Sequence, residues 1–453
     1  MAGAAAGQEG HVIAWVTGPW WLGALVATAV LVAWMGRGRP FALFVLVVFG
    51  LASLSWAGLG RWWGSGGSLP LAIVAALQSS VLLHFLSLVR ARLRPLPFRL
   101  LVTWPALWTL AGSLLALPWA IAAGLGFRPY GWWLPFVLAA MGLAESSGAM
   151  RSLVSIDLGG EEDAPPQGVD EAEPPPIQLR RLLPVGGDVL YRWRAGDRPH
   201  GPRDTADGGL HLVQISDPHL GAFVSPRRLR RACERAVAAE PDLIAITGDF
   251  LTMESQREGD ALIEALAPLA RLRGRVFACL GNHDLEALET VRSACEAAGV
   301  VLLVDAATTV STPGGEVDVV GLGFHFRESR QRLRDLFDRL GPLLTAPRRI
   351  VLLHDPHAVR RLPIEARWPP TLVLSGHLHG GQLGTLRLGG SWTLLRLFSS
   401  QPLDHGLWGF GHGSATPHRL YVHRGLGHYG FPVRIGVPAE EASLRIRWPG
   451  TGR

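Results

Sequence analysis

The sequence predicts an α/β domain preceded by an all-α, membrane-embedded one. Three observations support that expectation. The first third holds apolar runs close to the ~20 residues a bilayer requires. The remainder alternates short apolar strands with helical stretches, and each strand ends in a loop bearing Gly, Asp, Asn or His. All but two of the 16 histidines lie after residue 199, on that second part.

Length and composition agree with two or three domains. The 453 residues can bury a sizeable core, and 48 % hydrophobic with only 18 % charged residues is apolar for a purely soluble protein. The formal charge is +6, with Arg at every Lys-or-Arg position. A pI near 10.0 raises the question of nucleic acid. The arginines are scattered, however, and several flank apolar segments, so membrane orientation accounts for them better than a nucleic-acid track. Cys233, Cys279 and Cys295 lack CxxC spacing. They give neither a disulfide framework nor a thiolate metal site, and are expected as small buried hydrophobes.

In chain order, apolar runs cover about 14–35, 40–59, 69–89, 100–117 and, shorter, 130–144. The first is not a signal peptide, because no basic segment precedes it and further runs follow. Trp20, Trp21, Trp62, Trp63, Trp132 and Trp133 fall near run ends, as an interfacial aromatic belt would place them. Arg37 and Arg39 follow the first run; Arg90, Arg92, Arg94 and Arg99 follow the third. The positive-inside rule puts both clusters on the cytoplasmic side. Five spans then leave the rest of the chain in the cytoplasm, whereas four would leave it outside. Five is the expectation, in the inner membrane of a bacterium. Gln78 and His84, inside the third run, are expected to bond to neighbouring helices rather than to mark a transport path. The membrane domain is assigned to 1–151, an acidic Pro-rich linker to 152–178, and the second domain to 179–453. Glu161-Glu162-Asp163 and Glu171-Ala172-Glu173-Pro174-Pro175-Pro176 cannot bury enough to fold.

In the second domain, strands are expected at 210–215, 243–247, 275–280, 350–353 and 371–374, with helices at 227–239, 261–272 and 285–298. Ser225-Pro226 reads as an N-cap with proline at the first helical position, and Gly299 as a C-cap. The strands end at Ser216-Asp217-Pro218-His219, Gly248-Asp249, Gly281-Asn282-His283-Asp284, His354-Asp355 and Ser375-Gly376-His377-Leu378-His379-Gly380-Gly381. In an open α/β sheet, ligands bind outside the carboxyl ends of strands. Two histidines one residue apart would share a side if the chain stayed extended. Histidine, aspartate and asparagine converging there without cysteine describe a site for one or two divalent metals with N/O ligands.

Asp-x-His, Gly-Asp, Gly-Asn-His-Asp, a lone His after a strand, then Gly-His-x-His, in that order, resembles the calcineurin-like metallophosphoesterases. The resemblance runs from about Leu210 to Trp448. The segment Tyr421-Val422-His423-Arg424-Gly425-Leu426-Gly427, with Pro432 and Arg434 beyond it, is similar to the membrane-associated bacterial branch. Some of that branch act on UDP-diacylglucosamine-type lipids. The resemblance implies a four-layer α/β/β/α sandwich with a dinuclear centre at one edge. It implies a first metal held by Asp217, His219 and His379, a second by Asn282, His354 and His377, and Asp249 bridging them. Mn2+ is the expected metal, with Fe, Zn or Co as alternatives. His283 would face the substrate, with Asp284 orienting it. His357 and Asp355 are expected beside the ligands rather than among them.

The function expected is a membrane-anchored phosphohydrolase that cleaves a phosphodiester or pyrophosphate, lipid-linked, by a metal-bridging hydroxide. Its partners would be that phosphoester and the membrane, with no nucleic acid. Alternatives are a protein phosphatase or nuclease of the same fold, or a non-enzymatic membrane protein with a vestigial domain, although all seven ligand positions hold a competent residue. Two departures stand out: Pro218 between the first two ligands, and Gly321-Leu322-Gly323-Phe324-His325 where related chains often carry acidic residues. Arg227, Arg228, Arg230 and Arg231 suit either a phosphate grip or a solvated helix face. Trp392, Leu394, Leu395, Leu397, Phe398, Leu407, Trp408 and Phe410 follow the last ligands and are expected to line the mouth for an acyl chain.

Overall fold

The computed structural model describes residues 17–64, 71–158, 177–181, 189–191, 209–364, 368–399, 402–412 and 417–448. These divide into a helical unit of residues 1–147 with 430–435, and an α/β unit of 148–429 with 436–453. Most of the expected acidic linker, 159–176, lies outside the described residues.

The helical unit runs through α1 (Pro19–Arg37), α2 (Arg39–Gly64), α3 (Leu71–Leu88), α4 (Leu96–Leu115), α5 (Leu117–Gly124) and α6 (Leu134–Ser146). Three of the described helices are long and apolar enough to cross a membrane: Pro19–Arg37, Arg39–Gly60 and Leu96–Leu115. The expected third and fifth spans are apolar but shorter helices, Ala72–Leu88 and Leu134–Ser146. Within α4, Arg99–Thr103 forms a π turn in which the Trp104 N–H reaches back to the Arg99 carbonyl. Pro105 follows directly and has no N–H to continue the ordinary i to i−4 ladder. Some buried polar groups find partners across helices, as an apolar medium demands, whereas Ser53 Oγ, Thr103 Oγ1 and, against expectation, His84 Nδ1 have none among the described residues. Trp21 Nε1 donates to Gln78 Oε1 (2.9 Å), and Trp56 Nε1 to Ser113 Oγ (2.8 Å). Gln78 is therefore a bonded residue of the bundle. The late segment 430–435 belongs to this unit: Val433 packs with Ala111 and Ala139, and the Arg434 N–H donates to Ser146 Oγ.

The α/β unit contains fourteen described strands, numbered in chain order: β1 (Met150–Asp157), β2 (Ile177–Arg181), β3 (Val189–Tyr191), β4 (Leu210–Ile215), β5 (Leu243–Thr247), β6 (Val276–Cys279), β7 (Val301–Leu302), β8 (Ala306–Thr312), β9 (Gly315–Gly321), β10 (Arg349–Leu352), β11 (Thr371–Ser375), β12 (Gly406–His412), β13 (His418–Val422) and β14 (Glu440–Arg447). They form two seven-stranded sheets, ordered β3-β1-β14-β4-β5-β6-β7 and β2-β12-β13-β11-β10-β9-β8. Leu212, Leu243 and Phe277 of the first sheet pack against Ile350, Leu372 and Val319 of the second, so the main core lies between the sheets. On the outer face of the second sheet, Val351, Val373 and Leu420 bury Leu333, Leu336 and Phe337 of α10 (Arg330–Leu340). The first sheet is accompanied by α7 (Pro226–Ala238), α8 (Gly259–Leu266) and α9 (Leu288–Ala298). This is the expected four-layer sandwich.

Local signals work as physics predicts. Ser225 Oγ accepts the Arg228 N–H (3.2 Å), Pro226 starts α7, and Gly299 ends α9 with a left-handed φ of 69°. The three cysteines are buried and free. One boundary differs from expectation. Residues 152–157, assigned to the linker, are the greater part of β1, which pairs in parallel with β14 from Met150↔Glu440 to Asp157↔Arg447. The sheet needs that strand to bury the inward face of β14, where Leu444 and Ile446 lie. The second domain therefore starts before the acidic stretch, not after it.

Candidate metal centre

The carboxyl ends of β4, β5, β6, β10 and β11 meet at one edge of the sandwich. Parallel pairing of β4 with β5, β5 with β6, and β10 with β11 brings each sheet's loops out together. The two sheets are tied there by Gln214, whose Nε2 donates to Thr247 Oγ1 (2.9 Å) and to the Ser375 carbonyl (3.0 Å). Asp217 and His219 follow β4, Asp249 follows β5, Asn282 to Asp284 follow β6, His354 follows β10, and His377 and His379 follow β11.

These residues form two clusters that share a carboxylate. Asp217, His219, Asp249 and His379 present ligand atoms within 4.8 Å of one another, and so do Asp249, His354 and His377. His379 Nε2 lies 3.3 Å from Asp217 Oδ1. Asp249 Oδ2 lies 3.4 Å from His219 Nε2 on one side and 3.2 Å from His354 Nε2 on the other. Asn282 Oδ1 is buried and has no hydrogen-bond partner among the described residues. The two histidines of Gly-His-x-His do not share one side of an extended chain. Both have left-handed φ, 74° at His377 and 50° at His379, and they serve different clusters.

Backbone strain concentrates here. Asp217, His219 and Asp249 also sit at positive φ, a region that costs a non-glycine residue energy and persists where surrounding structure enforces it. The enforcement is visible. The His377 N–H donates to Asp217 Oδ1 (2.9 Å), the His283 N–H to Asp249 Oδ1 (2.9 Å), and the Ser216 hydroxyl to Asp217 Oδ2 (2.6 Å). Gly281 is needed for closeness: a Cβ there would stand 2.1 Å from Asp249 Oδ1.

The electrostatics fit a cation pair. Asp217, Asp249 and His354 are all but inaccessible, and among the described residues the two carboxylates meet imidazoles and backbone or hydroxyl donors. Burial alone would raise both carboxyls, but the neighbouring histidines hold them well below the ordinary carboxylate range. Burial would likewise lower His354, yet the Asp249 and Asp217 charges push it up to about 10. His219 and His377 go the other way, to about 3 and about 4, chiefly by burial. A proton on His354 thus balances charge that divalent cations would balance when bound, releasing it. The tautomer is prepared too. His354 Nδ1 lies 2.6 Å from the Thr247 carbonyl and keeps its proton there, so the proton that metal binding would release is the one on Nε2, facing Asp249. The donor set, the orphaned Asn282 oxygen and this charge balance fit two divalent metals.

His283 stands at the rim. Its Nδ1 is 3.8 Å from Glu286 Oε1, and its ring packs edge-on against Tyr429 at 4.8 Å and His219 at 5.4 Å. Burial opposes its positive charge, but Glu286 and Asp249 outweigh that and raise its pKa. Asp284 does not orient it. The Asp284 carboxylate is fully buried and accepts the N–H groups of Asp249 (2.7 Å), Phe250 (2.8 Å) and Gly281 (2.8 Å). It shapes the loops that carry two ligands, because those N–H groups have no strand partner to satisfy them. Burial and the Asp249 charge push Asp284 up to about 7.

Three neighbours escaped the sequence analysis: Glu286, Tyr429 and Phe324, whose ring lies 5.9 Å from His354 and 6.0 Å from His377. The Gly-rich run after β13 was the available signal for Tyr429, since it brings the chain back to the ligand loops. Asp355 caps a short helical turn by accepting the His357 N–H, and neither residue joins the clusters. Arg228 donates to the carbonyls of Phe223 and Gly148, and Arg230 pairs with Glu234, so these arginines serve α7 and its surroundings. Leu407, Trp408 and Phe410 belong to β12 and are core residues, not mouth residues. Trp392, Leu397 and Phe398 are exposed.

A two-sheet sandwich holding a His/Asp/Asn double cluster at its strand ends defines a metallophosphoesterase domain. Residues 210–381 match the sequence profile described as calcineurin-like phosphoesterase, and the chain carries a domain of that family, whose members use divalent metals. It is 31 % identical over 251 residues to a "Transmembrane protein with metallophosphoesterase domain" of Danio rerio, covering 53 % of each chain. It is 27 % identical over 245 residues to "Phosphodiesterase YaeI" of Escherichia coli, covering 52 % of this chain and 81 % of that one. An uncharacterized metallophosphoesterase of Helicobacter pylori is 28 % identical over 247 residues, covering 54 % and 61 %. The chain thus spans about half the length of the Danio rerio relative. Three of the described helices are long and apolar enough to cross a membrane, and one relative is named a transmembrane protein; both fit a membrane domain.

Proposed function

We propose that the chain is a membrane-anchored, metal-dependent phosphohydrolase that cleaves a phosphodiester or pyrophosphate in a lipid-linked substrate. The observation behind this proposal is Asp249, whose carboxylate belongs to both clusters. Asp217, His219 and His379 with Asp249 would hold one divalent cation; Asn282, His354 and His377 with Asp249 would hold a second. Such a pair, when bound, supplies Lewis-acid charge to a phosphoryl group and lowers the pKa of water.

The chain's own residues supply the rest. Asp249, fixed by the His283 N–H, keeps both clusters in register. The Thr247 carbonyl holds the His354 ring with Nε2 inward. His283, with Nδ1 directed at Glu286, is placed to give a proton to the leaving oxygen, and its raised pKa keeps that proton available near neutrality. Tyr429 walls the rim beside it. The name of the Escherichia coli relative, a phosphodiesterase, supports the substrate class.

We place the chain in a bacterial inner membrane with the α/β unit in the cytoplasm. Arg37 and Arg39 mark one turn and Arg90, Arg92, Arg94 and Arg99 another, on the side that the positive-inside rule makes cytoplasmic if α3 and α6 also cross. A reporter fused at the C-terminus tests the side.

The activity test is hydrolysis of bis-p-nitrophenyl phosphate by the full-length protein with Mn2+. Expected outcomes are loss of turnover with chelator and in Asp249→Asn, together with metal content falling from about two ions per chain. Turnover or metal content unaffected by the substitution would refute the assignment. A preference for phosphomonoesters over diesters would favour a protein phosphatase.

A further inference from the structure

Of the eight large apolar side chains exposed among the described residues of the α/β unit, four share one lobe, while Leu285, Val304, Phe326 and Leu343 lie outside it. Leu388 is 86 % exposed, Phe398 80 %, Leu397 67 % and Trp392 42 %, all between His379 and β12. The lobe is built to hold them outward. Its stem is closed by the Thr385 N–H to the Trp392 carbonyl (2.9 Å) and the Leu394 N–H to the Leu383 carbonyl (2.8 Å). Thr393, buried, donates its hydroxyl to buried Asp404. Inside the stem Leu386 is buried, so the apolar tips are what is left over after the lobe has packed its own core.

Charge points to the same kind of partner. From Gln382 to Ser399 the sequence holds Arg387 and Arg396 and no Asp or Glu. A short surface with Trp, Phe and Leu tips, flanked by Arg and free of acid, has the composition of an interfacial membrane contact. The same chain carries three helices of membrane-crossing length, which keeps this unit tethered near a lipid surface.

We propose that the lobe of residues 386–398 inserts Leu388, Leu397, Phe398 and the Trp392 edge into the headgroup layer of an anionic bilayer, with Arg387 meeting lipid phosphates. The proposal does not rest on the phosphohydrolase assignment. It would, however, hold the strand-end site at the lipid surface, because the lobe begins seven residues after His379.

The test uses the full chain. Phe398→Cys is labelled with an environment-sensitive fluorophore, the native cysteines being buried, and reconstituted into phosphatidylcholine/phosphatidylglycerol vesicles. A matched sample carries the label at Glu316→Cys, exposed at the start of β9, the end of that strand away from His354. A label at position 398 is expected to shift blue relative to detergent and to be quenched by nitroxide lipids, with the label at 316 unaffected. Arg387→Glu should weaken the quenching in phosphatidylglycerol and leave it unchanged in neutral lipid. Absence of lipid quenching at 398 would overturn the proposal. So would a blue shift accompanied by label–label self-quenching, since the lobe would then cover a second copy. Leu388→Cys provides the same measurement if Phe398→Cys fails to fold.

Discussion

Gly376→Ala should disable the centre while leaving the fold standing. Gly376 lies between β11 and His377, and its backbone is one that alanine can adopt. Space is the obstacle. A Cβ built there would stand 2.0 Å from Ser216 Oγ and 2.2 Å from Asp217 Oδ2. Real Cβ contacts essentially never fall under 3.0 Å, so the carboxylate must retreat by roughly 1 Å. Asp217 also accepts the His377 N–H, so its movement displaces a ligand loop of the second cluster as well. Misplacement on that scale costs about 100-fold in rate where geometry is preorganised, and overpacking costs about 1–3 kcal/mol of stability. The assay is a titration of Mn2+ against bis-p-nitrophenyl phosphate hydrolysis, with thermal unfolding alongside. Gly259→Ala, whose Cβ would meet only the Thr290 methyl at 3.4 Å, is the control. A Gly376→Ala protein with unchanged turnover and metal dependence would refute the inference that Asp217 is a ligand held in place by the Gly376 backbone.

Two further outcomes follow from the buried polar groups. Asp284→Asn replaces an oxygen facing N–H donors with an amide that cannot accept from all of them, and should cost about 1–3 kcal/mol of stability, read by denaturant unfolding. Asp284 does not touch the His283 ring, but its charge helps to raise the His283 pKa, so the limb of the turnover profile set by His283 should move to lower pH; an unmoved profile would count against His283 as the proton donor. Glu440 is buried, paired with Arg424 at 3.2 Å, and held down to about 2 by that charge and its hydrogen bonds despite burial. A depressed folded pKa means stability present above the unfolded value near 4.5 and lost as pH falls towards 2. Roughly 3 kcal/mol should disappear across that window, and Glu440→Gln should flatten the loss. An unchanged acid limb in the variant would count against the pairing.

The parts of the molecule that were legible in the sequence are those where one local rule governs. The five strands ending in ligand loops are continuous apolar runs because they are buried on both faces, as β5, β6, β10 and β11 show. Ser225, Pro226 and Gly299 act through their own backbone neighbours and needed no tertiary context. Elements that depend on distant partners were not legible. β8 is Thr-rich and half exposed at a sheet edge, and among the described strands pairs only with β9. β1 takes its place between β3 and β14, the latter nearly three hundred residues away. At the site, residue types at strand ends pointed to a divalent-metal centre, and the division of ligands between two clusters came from the family resemblance; the structure brings Asp217, His219, Asp249 and His379 together, and Asp249, His354 and His377. Side-chain orientation was beyond the sequence: whether Asp284 faces a histidine or three amides depends on where the loops after β5 and β6 turn. The aromatic loop was divided for the same reason, with β12 taking Leu407, Trp408 and Phe410 into the core and the preceding lobe leaving its tips outside.

Residues 430–435 have a practical consequence. Cutting the chain after residue 147 to obtain a soluble enzyme would strip Val433, Phe431 and Ile435 of the alanine-lined groove that shelters them. The stranded hexapeptide would begin one residue beyond Tyr429, so loss of solubility and a disturbed rim around His283 should arrive together. Biochemistry on this protein is better begun in detergent or nanodiscs than with a truncated fragment.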